Sequence, residues 1–232
     1  MPYLKRMGML LLAVVMWAAP LTAAEGKEKL TLTEFLQRLP TRVQDRDGTP
    51  GDMVNFVLVG SRQQVEAAFQ AAGWKPVDRT PTEAALRILI SILQKQVYVE
   101  LPISELFLFE RPQDYGYARA DPLMVAIERH HFRLWESPWQ TPDGEDIWIG
   151  AGTHDIGLEE DKRTGDLTHK IDPDVDQERD FIGITLYETG RVAGLGYLRL
   201  PEPVREATTA HGGPYYSDGR VLVIVLKDGK GN

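Results

Sequence analysis

The 232-residue chain contains no cysteine. That single absence excludes disulfide cross-links, thiolate nucleophiles, cysteine-bearing metal sites and lipidation through a cysteine. Positive charge is in deficit, with 26 basic against 34 acidic residues and a formal net charge of −8. A nucleic-acid backbone is therefore not an expected partner, because binding it relies on clustered basic groups. Serine is sparse and no G-x-S-x-G elbow occurs, which argues against a serine hydrolase of that type. Neither an HExxH helix nor an EF-hand loop is present. Glycine clusters at Gly194–Gly196 and Gly212–Gly213 read as turns rather than phosphate cradles.

Long apolar runs are confined to two places. Ala84 to Leu93 is short and carries Arg87, so it reads as a buried helix rather than a membrane span. Met9 to Ala19 follows Lys5 and Arg6 and precedes Thr22, Ala23 and Ala24. A basic start, an apolar core and a small-residue end are the three parts of a secretory signal, here expected to be cleaved after Ala24. The alternative is an uncleaved helix anchoring the chain in the inner membrane, although Pro20 interrupts the apolar core. Cleavage would leave about 200 residues, enough for one well-packed core. The organisation expected is a signal peptide over 1–24, a helix and linker over 25–52, and the main domain over 53–232.

Helix starts are legible from their caps. Thr31 with Glu34, and Ser61 with Gln64, fit capping boxes in which each side chain satisfies an orphan amide of the other residue's neighbourhood. Pro40 ends the first helix and Gly73 the second. Thr80 to Glu83 suggests a third start, with a helix from Pro81 to Gln96. Asp172 and Pro173 cap a last helix running to Thr189. Strands are expected at Met53–Val59, Val97–Leu101, Leu106–Phe109, His130–Trp135, Ile147–Ile156, Leu167–Ile171, Gly196–Leu200 and Val221–Leu226. The pattern implies a single α+β domain, a mixed sheet with helices packed on one side.

Four of the five histidines, His130, His131, His154 and His169, fall between Glu128 and Asp180 among aspartates and strand-like residues. A hairpin loop centred near Asp161–Arg163 would place His154 and His169 on one face of the ribbon. His131 is favoured over His130 as their neighbour, because its strand face also carries Arg133. Three imidazoles with an aspartate could hold a divalent metal such as zinc, so His131, His154 and His169 are the expected ligands, with Asp172 as a possible fourth. Asp155 or Glu178 would then be the general base. The plainer reading is a His–Asp–Arg network: Asp172 and Asp174 as helix-start residues, Arg179 neutralising its neighbouring aspartates, and Arg129 and Arg133 paired with acids. Trp135, Trp139 and Trp148 read as core.

Five segments in order, Phe56–Arg62 (FVLVGSR), Ala67–Trp74 (AAFQAAGW), His130–Trp135 (HHFRLW), Trp148–Gly157 (WIGAGTHDIG) and Thr168–Asp180 (THKIDPDVDQERD), resemble the bacterial LssY C-terminal domain family. The resemblance covers roughly residues 53–189. It implies an exported or membrane-apposed domain of the cell envelope and implies no particular reaction. In many members the domain follows membrane-embedded segments related to lipid phosphatases; those motifs are absent here, so phosphatase activity does not carry over. Two functions remain. One is an envelope accessory domain binding a small ligand or a membrane-protein partner. The other is a metal-assisted hydrolase acting on an envelope substrate.

Overall fold

A computed structural model describes residues 26–77, 103–120, 128–160, 162, 165, 167–209 and 212–228. The expected signal segment, the helix at 81–96 and the strand at 97–101 lie outside these. Along the chain, β1 (Glu28–Lys29) precedes helix α1 (Leu32–Arg38), then β2 (Arg42–Gln44), β3 (Pro50–Met53) and β4 (Phe56–Val59). Helix α2 (Arg62–Ala71) leads to β5 (Lys75–Pro76), followed by β6 (Phe107–Leu108), β7 (Arg111–Pro112) and β8 (Tyr115–Arg119). The two long strands β9 (Glu128–Gln140) and β10 (Asp146–Glu160) come next, then β11 (Leu167–Ile171) and helix α3 (Val175–Glu188). The chain closes with β12 (Val192–Arg199), β13 (Glu206–Thr208), β14 (Pro214–Tyr216) and β15 (Arg220–Leu226).

Nine strands form one mixed sheet in the order β12-β15-β4-β10-β9-β8-β5, with β1 on β9 and β11 on β10. β4 and β15 run parallel, whereas β4–β10 and β9–β10 are antiparallel. The fold is therefore α+β with a mixed sheet, as the pattern implies. Alternation along each strand divides its residues between two cores. Phe56, Leu58, Phe132, Trp148, Leu222 and Ile224 meet Val65, Phe69, Ile182 and Leu186 of α2 and α3 on one face. Val57, Trp135, Ile149 and Val221 meet Phe35 of α1 and Leu106 on the other. Of the described helices, the two longer ones thus share a side and the seven-residue α1 sits opposite. Among the described residues no helix is long and apolar enough to cross a membrane.

Both capping boxes form. Thr31 and Ser61 each accept from the third helical amide, and Glu34 and Gln64 reach back to the cap backbone. Gly73 takes a φ of 78°, the left-handed geometry that stops a helix. Two expectations need correction. The run Met53–Val59 is two strands, broken where Asn55 turns its amide into the fold: Nδ2 donates to Gly152 O (2.9 Å) and Oδ1 accepts from Gly152 N (2.9 Å). The last helix is capped by Asp174 rather than Asp172, whose Oδ1 instead accepts from the Asp174 amide at 2.9 Å.

Candidate functional site

The histidine-rich strands β9 and β10 pair with His130 opposite His154 and His131 opposite Thr153. Directly paired residues share a face, and neighbours along a strand do not. His130 and His154 therefore sit with Phe132 and Leu134 on the side of α2 and α3. His131 sits with Arg133 and Trp135 on the other. Two separate polar clusters result.

On the helical side the His130 and His154 rings stack, with centroids 4.1 Å apart, and Phe181 of α3 stacks on His130 at 4.0 Å. Glu178, one turn earlier, brings Oε2 to 2.6 Å from His130 Nδ1. That approach depends on Gly152, where a Cβ would stand 2.5 Å from Ile182 Cδ1 and 3.4 Å from Glu178 Cγ. Burial, with Asp155 and Asp172 adding, pushes the Glu178 carboxyl well above the usual range. Burial and the Arg119 guanidinium lower His130 to about 4. Both shifts disfavour the charged form of the group concerned. His154 is also lowered by burial and by His130, and its Nε2 lies 3.6 Å from Glu128 Oε1.

On the opposite side a cavity of about 180 Å³ is lined by Asp52, Ser104, Arg129, His131, Asp155 and His169, among others. Asp155 is its centre. Its Oδ2 lies 3.4 Å from His131 Nδ1, 3.6 Å from His169 Nδ1 and 3.5 Å from the Arg129 guanidinium. Burial would raise this carboxyl, but His131, Arg129 and His169 outweigh it and hold it at about 2. Arg133 is fixed in the wall, donating to Ser104 O (2.9 Å), Ser104 Oγ (2.9 Å) and Asp52 Oδ2 (3.3 Å). Thr153 Oγ1 holds His131 Nε2 at 3.0 Å, leaving Nδ1 towards the cavity. Among the described residues, His131 Nδ1, His169 Nδ1 and Asp155 Oδ1 are buried here without a hydrogen-bond partner, as are His154 Nε2 and Glu178 Oε1 in the helical-side cluster.

The structure does not gather His131, His154 and His169. Leu158, not His154, faces His169, because the hairpin pairs further along the chain than a loop centred at Asp161–Arg163 would. A bulge at Ile156, between the Asp155 and Gly157 pairs, then reverses the alternation. His169 joins Asp155 and His131 on one face, and His154 is left on the other. Asp172 serves the start of α3, its amide donating to His154 O at 2.8 Å. Among the described residues no group of three or more His, Asp or Glu side chains is arranged to hold a metal ion. Arg179 binds Asp176 (2.9 Å), Asp180 (2.8 Å) and Asp218 (2.9 Å), the aspartate-neutralising role of the plainer reading. Asp155 and Glu178, the two candidate bases, are on separate clusters. Sequence reasoning missed Asp52 and Ser104, which carry no local motif and reach the cavity only through the tertiary fold.

The sequence model described as LssY C-terminus matches residues 36–221, extending beyond the five segments at both ends. Comparison with curated proteins and with solved structures finds no match. With most of its length covered, including every residue of both clusters, the chain belongs to the LssY C-terminus family.

Proposed function

We propose that this LssY-like domain is an exported, envelope-associated accessory module that binds a small polar ligand in the cavity around Asp155. One observation carries the reading: three buried polar atoms, His131 Nδ1, His169 Nδ1 and Asp155 Oδ1, border one void without a hydrogen-bond partner, the two nitrogens only in long ion-pair contact with Asp155 Oδ2. Each such atom costs about 1–3 kcal/mol when left unsatisfied. A ligand with both donor and acceptor groups would offset that cost. Asp155, an anion, would accept from the ligand, while Arg129 and the imidazoles would face its acceptors. The tripartite N-terminus supports export, followed by either cleavage after Ala24 or retention at the inner membrane.

A metal-assisted hydrolase is the second reading, and it must now run through His131, Asp155 and His169. The Nδ1 atoms of the two histidines converge on Asp155 Oδ2 at 3.4 and 3.6 Å, and an ion would have to rearrange these contacts to be held there. Thermal unfolding in the presence of amino acids, hydroxy acids, phosphate monoesters, sugars and zinc tests both. Binding at 100-fold over Kd stabilises by about 2.7 kcal/mol. At least one organic probe should raise the melting temperature of the wild type, with the response lost in His169→Ala. Stabilisation by zinc alone would favour the hydrolase, and a wild type indifferent to the whole panel would contradict both.

A further inference from the structure

A second cavity, of about 400 Å³, lies on the same sheet face as the Asp155 cavity but at its other end. Its floor is Val57 and Val59 of β4 and Val223 and Val225 of β15, and Leu30 and Phe35 at α1 form a wall. Ile147 at the base of β10 also lines it. Ile147 and Asp155 are eight positions apart on that strand, so the two cavities are separated by roughly 27 Å.

The edge strand β12 contributes Gly194 and Gly196, paired with Val225 and Val223 and therefore on the cleft side. Glycine weakens a strand interior and often marks a place where something approaches closely. Among the described residues nothing does: a Cβ at either position would meet no atom within 4 Å. The missing side chains leave the cleft open along its edge. The floor spans β10, β4, β15 and β12, three strand spacings or roughly 14 Å. Its volume is within the range of small-molecule sites rather than of protein interfaces. At the rim, Lys29 is exposed and its ammonium donates to Pro142 O at 3.2 Å. Pro142 itself lines the cleft.

We propose that this cleft binds the hydrocarbon chain of a single-chain amphiphile with a carboxylate head, the chain lying across the valine floor and the head beside Lys29. A long apolar trough matches a linear chain, its volume accommodates one chain, and the cation at the mouth complements an anionic head. The site does not depend on the Asp155 cavity, so the two readings fail separately.

Isothermal titration of the full chain with octanoate, decanoate, dodecanoate and decanol, each below its micellar concentration, tests this. Affinity should rise about fourfold per methylene, the transfer contribution of one buried group. Gly196→Leu should weaken dodecanoate binding by more than about tenfold, since the new side chain occupies the trough. Its melting temperature should be no lower than wild type, because a Cβ at this position meets no atom within 4 Å. Lys29→Glu should weaken decanoate and leave decanol unchanged. Affinity independent of chain length, or a Gly196→Leu variant that binds normally, would overturn the proposal. So would sedimentation showing that the wild type is a dimer and Gly196→Leu a monomer, because a second copy would then be the occupant.

Discussion

Glu178 and His130 meet in a buried contact of 2.6 Å, and both are shifted against their charged forms. Burial first, then Asp155 and Asp172, raise the carboxyl well above its ordinary 4.5, while burial and Arg119 lower the imidazole from 6.5 to about 4. From pH 6.5 down to about 4 the unfolded His130 binds a proton that the folded one does not, so this group costs stability as pH falls. Glu178, whose pKa is raised on folding, works in the opposite sense: its protonated form favours the fold, and that contribution is lost as pH rises through its folded pKa. In acid Asp155 is one of the carboxylates that contribute. Its stabilisation is full above the ordinary 3.8 and is lost as pH falls through about 2, on the order of 2 kcal/mol in all. Glu178→Gln replaces the O–H donor with an N–H donor. Urea unfolding should find it no less stable than wild type at neutral pH, with the alkaline decline abolished. Were the pair ionised, the same change would cost about 3–5 kcal/mol.

Helix α3 reaches the sheet over Gly152, and that contact builds the helical-side cluster. At Gly152 an alanine Cβ would press on Ile182 and Glu178, so Gly152→Ala should destabilise by about 1–3 kcal/mol and displace Glu178 from His130. Gly157→Ala, five residues along the same strand, meets nothing within 4 Å and should be nearly neutral. Chemical denaturation of both variants makes the comparison, and equal losses would count against the packing described. The caps of α1 and α2 were readable from sequence because they depend on residues three apart. The bulge at Ile156 was not. It is a property of how β10 meets β11, and a single extra residue there carries His154 away from His169.

At the scale of the whole molecule, one sheet separates an acid–imidazole stack under α3 from an Asp155-centred cavity on the far side. Alternation in β9 correctly divided His130, Phe132 and Leu134 from His131, Arg133 and Trp135, so the two faces were legible. The composition of the cavity was legible only in part. Asp155, His131 and His169 lie in one histidine-rich stretch, but Asp52 and Ser104 come from distant segments without a motif of their own. The central claim is that His131 and His169 serve a ligand while His130 and His154 serve the fold. Ring-nitrogen NMR spectra of the histidines, recorded during titration with the amino acid, hydroxy acid, phosphate and sugar probes, test it most directly. The account predicts that at least one probe shifts the Nδ1 resonances of His131 and His169 and leaves those of His130 and His154 in place. Movement confined to His130 and His154, or none in any histidine across the panel, would contradict it.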